Sequence, residues 1–253
     1  MTEDCYAIKL HGITKTFRVA ECADTERIRN EKFYALDNIS LNFHKEKCTV
    51  ISGANGSGKS LLMSIIAKLD EPSSGSLEIC GKTALVFQEA NDQILGETPR
   101  EDVLIGIRAR KIPKAAAAII AEQALDETGL LDKADFPARF LSGGEKRRLA
   151  VAGALAMDAD IIIFDEPYAN LDYEGVLQVN VLISELLKKK KTVIILTHEL
   201  EKCLALAQYF IVLYKGKIAF AGKPEDGLDH DMTKWKLHNP LHTVSELKDL
   251  VWL

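Results

Sequence analysis

The sequence predicts an α/β fold: a mainly parallel sheet covered by helices on both faces, with a helical segment inserted in its middle. Three observations lead there. Short, largely apolar runs at 49–52, 161–164 and 192–197 read as buried strands, and each is followed by a helical pattern. The first of these strands runs into a glycine-rich loop and then a helix. From about 90 to 140 the alternation of strand and helix stops, and good helix formers take over, above all at 115–125.

Taken in order, residues 6–13 and 36–43 read as strands with partial alternation, marked by Leu36, Ile39, Leu41 and Phe43. Between them, 18–32 is dense in charge and poor in apolar residues, which predicts an exposed, mobile loop or the tip of a long hairpin. After the strand at 49–52 and its loop, Leu62, Ile65, Ile66 and Leu69 mark one face of a helix. Pro72, Ser73, Ser74 and Gly75 end that unit, and 77–79 with 83–87 read as a second, small strand pair. Beyond the helical segment come a helix at 144–156, a strand at 161–164, a helix at 174–189, a strand at 192–197 and a helix at 199–207. Residues 210–214 and 217–221, joined at Lys215 and Gly216, look like a closing hairpin. The tail after Pro224 carries Leu237, Leu241, Val244, Leu247, Leu250 and Val251, too apolar to stay in solvent, so it should dock on the core or on a partner.

Composition narrows the function classes. The chain has 253 residues, 47% hydrophobic and 27% charged, which fits one large domain or a domain with a small appendage. A net charge of −5 argues against a nucleic-acid-binding surface, so no nucleic-acid partner is expected. No apolar run reaches the length of a bilayer span, and the N-terminal residues lack a signal-peptide apolar core. A cytoplasmic protein is expected, with any membrane role carried by partners. The five cysteines (Cys5, Cys22, Cys48, Cys80, Cys203) are scattered and read as reduced thiols without chemistry.

The segment Gly53, Ala54, Asn55, Gly56, Ser57, Gly58, Lys59, Ser60 satisfies G-x-x-x-x-G-K-[ST] in its strand–loop–helix setting. Glycines let backbone N–H groups curl around phosphates without Cβ clashes, and the helix that follows adds its positive end. Lys59 is placed to neutralise the β- and γ-phosphates of a nucleoside triphosphate, and the Ser60 hydroxyl to ligate magnesium. Downstream, an apolar strand delivers Asp165 at its C-terminal end, where ligands sit in open α/β sheets. Asp165 is the second magnesium residue, and Glu166 is positioned to orient or deprotonate an attacking water.

Leu141, Ser142, Gly143, Gly144 and Glu145 stand one helix before the Asp165–Glu166 strand. A helix N-terminus with a Ser hydroxyl and bare amides is an anion site, and the same residues also describe a plain N-cap. With these motifs in this order, the chain resembles the ATP-binding cassette (ABC) ATPases from its N-terminus to about Gly222. The resemblance implies an α/β P-loop NTPase core, a mainly parallel sheet plus an antiparallel β subdomain, and an inserted helical subdomain at about 90–144, with 223–253 as a C-terminal extension. It also implies that Leu141 to Glu145 contact a nucleotide held by a second cassette. Gln88 resembles the glutamine that touches magnesium and the attacking water and hinges the insert. Asp172 resembles the residue of the interface-crossing loop, and His198 the switch histidine at the γ-phosphate. Phe17 is the candidate for the ring on adenine, with Tyr34 as its rival. Tyr168 departs from the pattern, standing where the family usually has a small hydroxyl residue.

A narrower resemblance concerns the energy-coupling factor and cobalt-type importer ATPases. It rests on Gln88 to Ile94, Glu101 to Val103, and the small-residue helix from Ala150 to Ala156. It implies a transmembrane coupling protein and a substrate-capture membrane protein as partners, a vitamin or transition metal ion as cargo, and a place on the inner face of the cell membrane. The second cassette is either a copy of this chain or a paralogue. The competing reading is a soluble cassette ATPase of nucleic-acid repair or translation, which would normally carry two cassettes in one chain, or a coiled-coil or zinc insert. The run Lys188–Lys191 reads as a helix C-terminus in solvent.

Overall fold

A computed structural model describes residues 6–18, 32–108 and 110–241. Among them is a three-stranded antiparallel sheet with β1 (Tyr6–Arg18) between β2 (Lys32–His44) and β4 (Ser74–Ile79), and a six-stranded sheet ordered β5 (Thr83–Val86), β6 (Ile161–Asp165), β7 (Thr192–Leu196), β3 (Cys48–Ser52), β8 (Tyr209–Tyr214), β9 (Lys217–Gly222). In the large sheet β3, β5, β6, β7 and β8 run parallel. Only β9 is antiparallel, paired to β8 as the closing hairpin.

The apolar runs form strands because both of their faces find a core. Along β6, Ile161 and Ile163 enter the cluster shared with α1 (Lys59–Ile66) and the antiparallel sheet. Ile162 and Phe164 enter the opposite cluster, shared with α4 (Gly143–Ala156) and α5 (Tyr173–Lys188). β7 divides in the same way: Ile194 and Leu196 to one side, Val193 and Ile195 to the other. Side chains alternate along a strand, so a strand buried on both faces needs an unbroken apolar run. Each such side chain contributes about 1.5–3 kcal/mol.

The helical insert is built from α2 (Pro99–Arg108) and α3 (Lys114–Glu127), with short 3₁₀ turns at Leu131–Lys133 and Ala138–Phe140. Its core includes Val103, Ala121, Leu125 and Leu130, and also Leu149, Ala152 and Ala156 of α4. α4 therefore belongs to two cores at once, since Ala150, Val151 and Ala154 pack on the large sheet. Its small side chains let both units approach the same helix.

Several expectations are corrected. The 77–79 and 83–87 runs are not a pair. β4 (Ser74–Ile79) joins β1 (Tyr6–Arg18) in the antiparallel sheet, and β5 joins β6 in the parallel one. Asp160 forces the separation: its carboxylate accepts the Lys82 N–H at 2.8 Å, and the Lys82 carbonyl accepts from Ile161 N at 3.0 Å, turning the chain toward β6. The expected strands at 6–13 and 36–43 are the inner parts of a longer hairpin. β1 pairs with β2 (Lys32–His44) out to Phe17↔Phe33 and Arg18↔Lys32, and the charged residues 19–31, expected as a mobile loop or hairpin tip, lie outside the described ones.

The helix after the glycine-rich loop stops at Ile66. Lys68 takes a left-handed turn (φ 59°), Leu69 N bonds back to Ser64 O at 2.8 Å, and Leu69 ends 63% exposed rather than on the apolar face. The predicted helix at 199–207 is two 3₁₀ turns, Leu200–Lys202 and Leu204–Leu206. There the Lys202 carbonyl is taken by Asn180 Nδ2 (2.7 Å) and the Glu199 N–H by Thr197 Oγ1 (3.0 Å), so side chains replace a helical ladder. In the tail, Leu237 is buried in the sheet core as expected, while Leu241 is exposed. Val244, Leu247, Leu250 and Val251 lie outside the described residues. Cys48 and Cys203 are buried free thiols, Cys80 is exposed and free, and Cys5 and Cys22 lie outside the described residues. Lys188 and Lys189 pair with Glu185 (2.7 Å) and Glu127 (2.8 Å) at the end of α5.

Candidate nucleotide site

The parallel sheet order brings the motifs to one edge. β3 lies between β7 and β8, with β6 beyond β7, so the loop after β3, the acids at the end of β6 and the residues after β7 all leave at C-terminal strand ends. Gly53 and Gly58 are required by close approaches. A Cβ on Gly53 would stand 2.2 Å from the Leu213 carbonyl oxygen, and one on Gly58, at φ 100°, 2.8 Å from that of Ala35. The loop spans Gly53, Ala54, Asn55, Gly56, Ser57, Gly58, Lys59 and Ser60, and α1 starts at Lys59.

Lys59 is 7% exposed and folded back over the loop, donating from Nζ to Gly53 O at 2.6 Å and to Ala54 O at 3.4 Å. Burial lowers its pKa, and the nearby carboxylates of Glu166 and Asp165 oppose that shift. The Ser60 hydroxyl donates to Asp165 Oδ1 at 3.4 Å. Burial also raises the Asp165 pKa, with the Ser60 bond and Lys59 working against it. His198 Nδ1 lies 3.1 Å from both carboxylate oxygens of Glu166. Glu166 itself sits at φ 46°, a left-handed conformation unusual for a branched-chain-free acid outside turns, and its N–H is pinned to Leu196 O at 2.8 Å.

Magnesium fits this donor set. Ser60 and Asp165 present hard oxygens side by side, and the buried Ser57 hydroxyl has no partner among the described residues. Among those residues no group of three His, Cys, Asp or Glu forms an all-protein cage. Magnesium does not need one, because it takes one or two protein oxygens and completes its shell with phosphate and water.

The expected signature residues gather elsewhere. Ser142 caps α4 through a reciprocal box: its hydroxyl accepts from Glu145 N at 3.3 Å, and Glu145 Oε2 accepts from Ser142 N at 2.8 Å. Leu141 is buried, and Glu145 is also ion-paired to Lys133. A Cβ on Gly143 would meet Leu171, and one on Gly144 would meet Gln178, so this helix start lies against the start of α5. Asp172 caps α5, accepting from Gly175 N at 2.8 Å. Among the described residues, no hydrogen bond joins Ser142 to Glu145 with the loop carrying Lys59.

Gln88 lies two residues beyond β5, exposed, at the same sheet edge as Asp165. Phe17 and Phe33 face each other on the hairpin arm, and Tyr34 lies opposite Thr16; all three rings are exposed. Tyr168, where the chain departs from the family pattern, turns inward and is 1% exposed.

Arg147 was missed. It is 4% exposed, and its Nη2 donates to Gln88 O at 3.2 Å and Ala169 O at 3.4 Å, tying the glutamine segment to the loop after Glu166. Its Nε and Nη1 are buried without partners among the described residues. The signal was there: Gly144, Arg147, Val151 and Ala154 follow helical spacing on the inward face of α4.

Ser142 yields a first prediction. Ser142→Ala should cost about 1 kcal/mol of stability and Ser142→Gly a few tenths, since glycine is a tolerated cap. Thermal unfolding of both variants reads the difference.

Known proteins are similar to this chain in fold and sequence. The family model described as "ABC transporter" matches residues 36–169. The energy-coupling factor transporter ATP-binding protein EcfA1 of Mycoplasma mobile is 35% identical over 225 residues, covering 81% of this chain and 82% of that one. Among solved structures, cbiO1 of Clostridium perfringens, described as part of the ABC transporter complex cbiONQ, aligns with a TM-score of 0.76 at 27% identity over 92% of this chain and 94% of that one. A dimeric ATP-binding cassette in a post-hydrolysis state with ADP and Pi aligns with a TM-score of 0.73 at 28% identity over 86% of this chain and 98% of that one. With its phosphate loop, acidic strand end and capped signature helix on one α/β frame, the chain belongs to the ATP-binding, ATP-hydrolysing subunits of the ABC transporter family.

Proposed function

We propose that this chain powers a membrane importer of the energy-coupling factor or cobalt type, for a vitamin or transition metal ion, as one of two paired cassettes. The observation that carries the reading is the separation of two sets of site residues. Lys59, Ser60, Asp165, Glu166 and His198 form one; Ser142, Gly143, Gly144 and Asp172 form the other, at two abutting helix N-termini. A pair of cassettes joined head to tail completes both.

In this reading Lys59 and the loop amides hold the phosphates of ATP, and Phe17, or Tyr34, carries the adenine. Ser60, Asp165 and Gln88 hold magnesium, which when bound neutralises phosphate charge. Glu166 accepts the proton of the attacking water, and His198, 3.1 Å from it, orients that carboxylate and reaches the γ-phosphate. Ser142 to Gly144 and Asp172 face the partner's nucleotide, whether the partner is a copy or a paralogue. The cassette is 1–222, with its helical insert at about 90–144 and 223–253 as an extension.

No helix among the described residues is long and apolar enough to cross a membrane. The reading places this chain on the inner face of the cell membrane. An apolar groove of about 320 Å³ between the insert and the sheet edge, lined by Leu69, Phe87, Leu95 and Met157 beside Gln88, suits an apolar element of the transmembrane coupling protein. Detergent extraction and pull-down with this chain should recover a multi-pass membrane protein, and Leu95→Asp should reduce that recovery. Recovery of ribosomes or DNA instead overturns the importer reading and favours a soluble cassette ATPase.

A further inference from the structure

Behind the catalytic edge a buried phenol meets a half-buried amide. Tyr168, 1% exposed, donates from its hydroxyl to Asn180 Oδ1 at 2.7 Å, and Asn180 Nδ2 donates to the Lys202 carbonyl at 2.7 Å. Burial raises the phenol pKa, so the hydroxyl stays a donor. The amide is used at both ends, its oxygen by Tyr168 and its nitrogen by Lys202.

This chain of bonds joins three segments. Tyr168 lies two residues after Glu166 and four before Asp172, in the loop that Arg147 holds at Ala169. Asn180 sits two turns into α5, the helix capped by Asp172. Lys202 ends the 3₁₀ turn that follows His198. At the front of the same unit, His198 meets Glu166 directly. The His198 segment is thus held at two points, by Glu166 before the sheet edge and by Tyr168 through Asn180 behind it.

We infer that Tyr168 is a positioning residue for hydrolysis: with Asn180 it fixes the His198 segment against Glu166 and Asp172. The inference rests on the proposed roles of Glu166 and His198. A phenylalanine would fill the same space, so ring packing alone does not account for the hydroxyl. A buried hydroxyl is costly unless bonded, and here both of its partners, Asn180 and Cys203, lead to the segment after His198. The link also gives α5 and Asp172 a rigid connection to the γ-phosphate-sensing side of the site.

The test uses the purified full-length chain, with pairing followed by light scattering. Tyr168→Phe should lower kcat about 5-fold, the worth of one buried hydrogen bond, with ATP affinity and KM within about 2-fold. Asn180→Leu should lower kcat similarly from the other end of the link, and the double variant should lose no more than either single one. If Tyr168→Phe fails to fold, the Asn180→Leu kcat decides alone. A lowered melting temperature with unchanged kcat in both variants overturns the inference and leaves a packing role. Glu166→Gln, assayed in parallel, separates the two levels. If it still turns over, the reading of the site falls and this inference with it; if it is inactive while Tyr168→Phe is not impaired, only this inference falls.

Discussion

Glu166→Gln is expected to abolish turnover, by about 10²–10⁴-fold, while ATP binding persists. The substitution is nearly isosteric, so the left-handed backbone at Glu166 and its N–H bond to Leu196 O are kept. What changes is proton affinity: an amide cannot take the proton of the attacking water. Retained binding follows from the proposed site, in which Lys59 and the loop amides, not Glu166, hold the phosphates. Nucleotide titration together with steady-state phosphate release checks both halves. Unchanged phosphate release removes Glu166 from the general-base role.

Lys59→Ala is expected to weaken ATP binding by about 10- to 100-fold, corresponding to charged hydrogen bonds worth about 1.5–3 kcal/mol. The lysine is already inside the loop, bonded to Gly53 O and Ala54 O, and it sits among the Asp165 and Glu166 carboxylates. Removing it leaves those two acids to repel incoming phosphates. At an ATP concentration that stabilises the parent chain by about 2.7 kcal/mol, near 100 Kd, the variant should gain much less. Calorimetric titration and nucleotide-dependent melting measure this directly. Equal affinity in parent and variant removes Lys59 from the site.

Much of the parallel sheet was legible because its signals are local. Ile161 to Phe164 and Thr192 to Leu196 are unbroken runs that only a strand buried on both faces can use. The phosphate loop was legible for a related reason: its glycines are dictated by backbone approaches within one strand–loop–helix unit. Strand partnership was not legible where it depends on distant residues. Nothing near Lys82 says that Asp160, 78 positions away, will steer β5 into the parallel sheet and leave β4 with β1. The turns after His198 were misread for the same reason, since the carbonyl that would continue a helix is claimed by Asn180 of another element.

The sequence by itself marked the motifs: a glycine-rich strand–loop–helix, an acid pair at a strand end, and a capped Ser-Gly-Gly helix start, each specified by residues within a few positions. Tertiary structure decided their grouping and the supports behind them. It set Lys59, Ser60, Asp165, Glu166 and His198 at one sheet edge and the start of α4 against the start of α5. It turned Tyr168 inward and placed Arg147 between Gln88 and Ala169. The physical reason is range. Loop conformation and caps are settled by neighbours along the chain, whereas a buried hydrogen bond selects its partner only after the sheet has brought distant segments into contact.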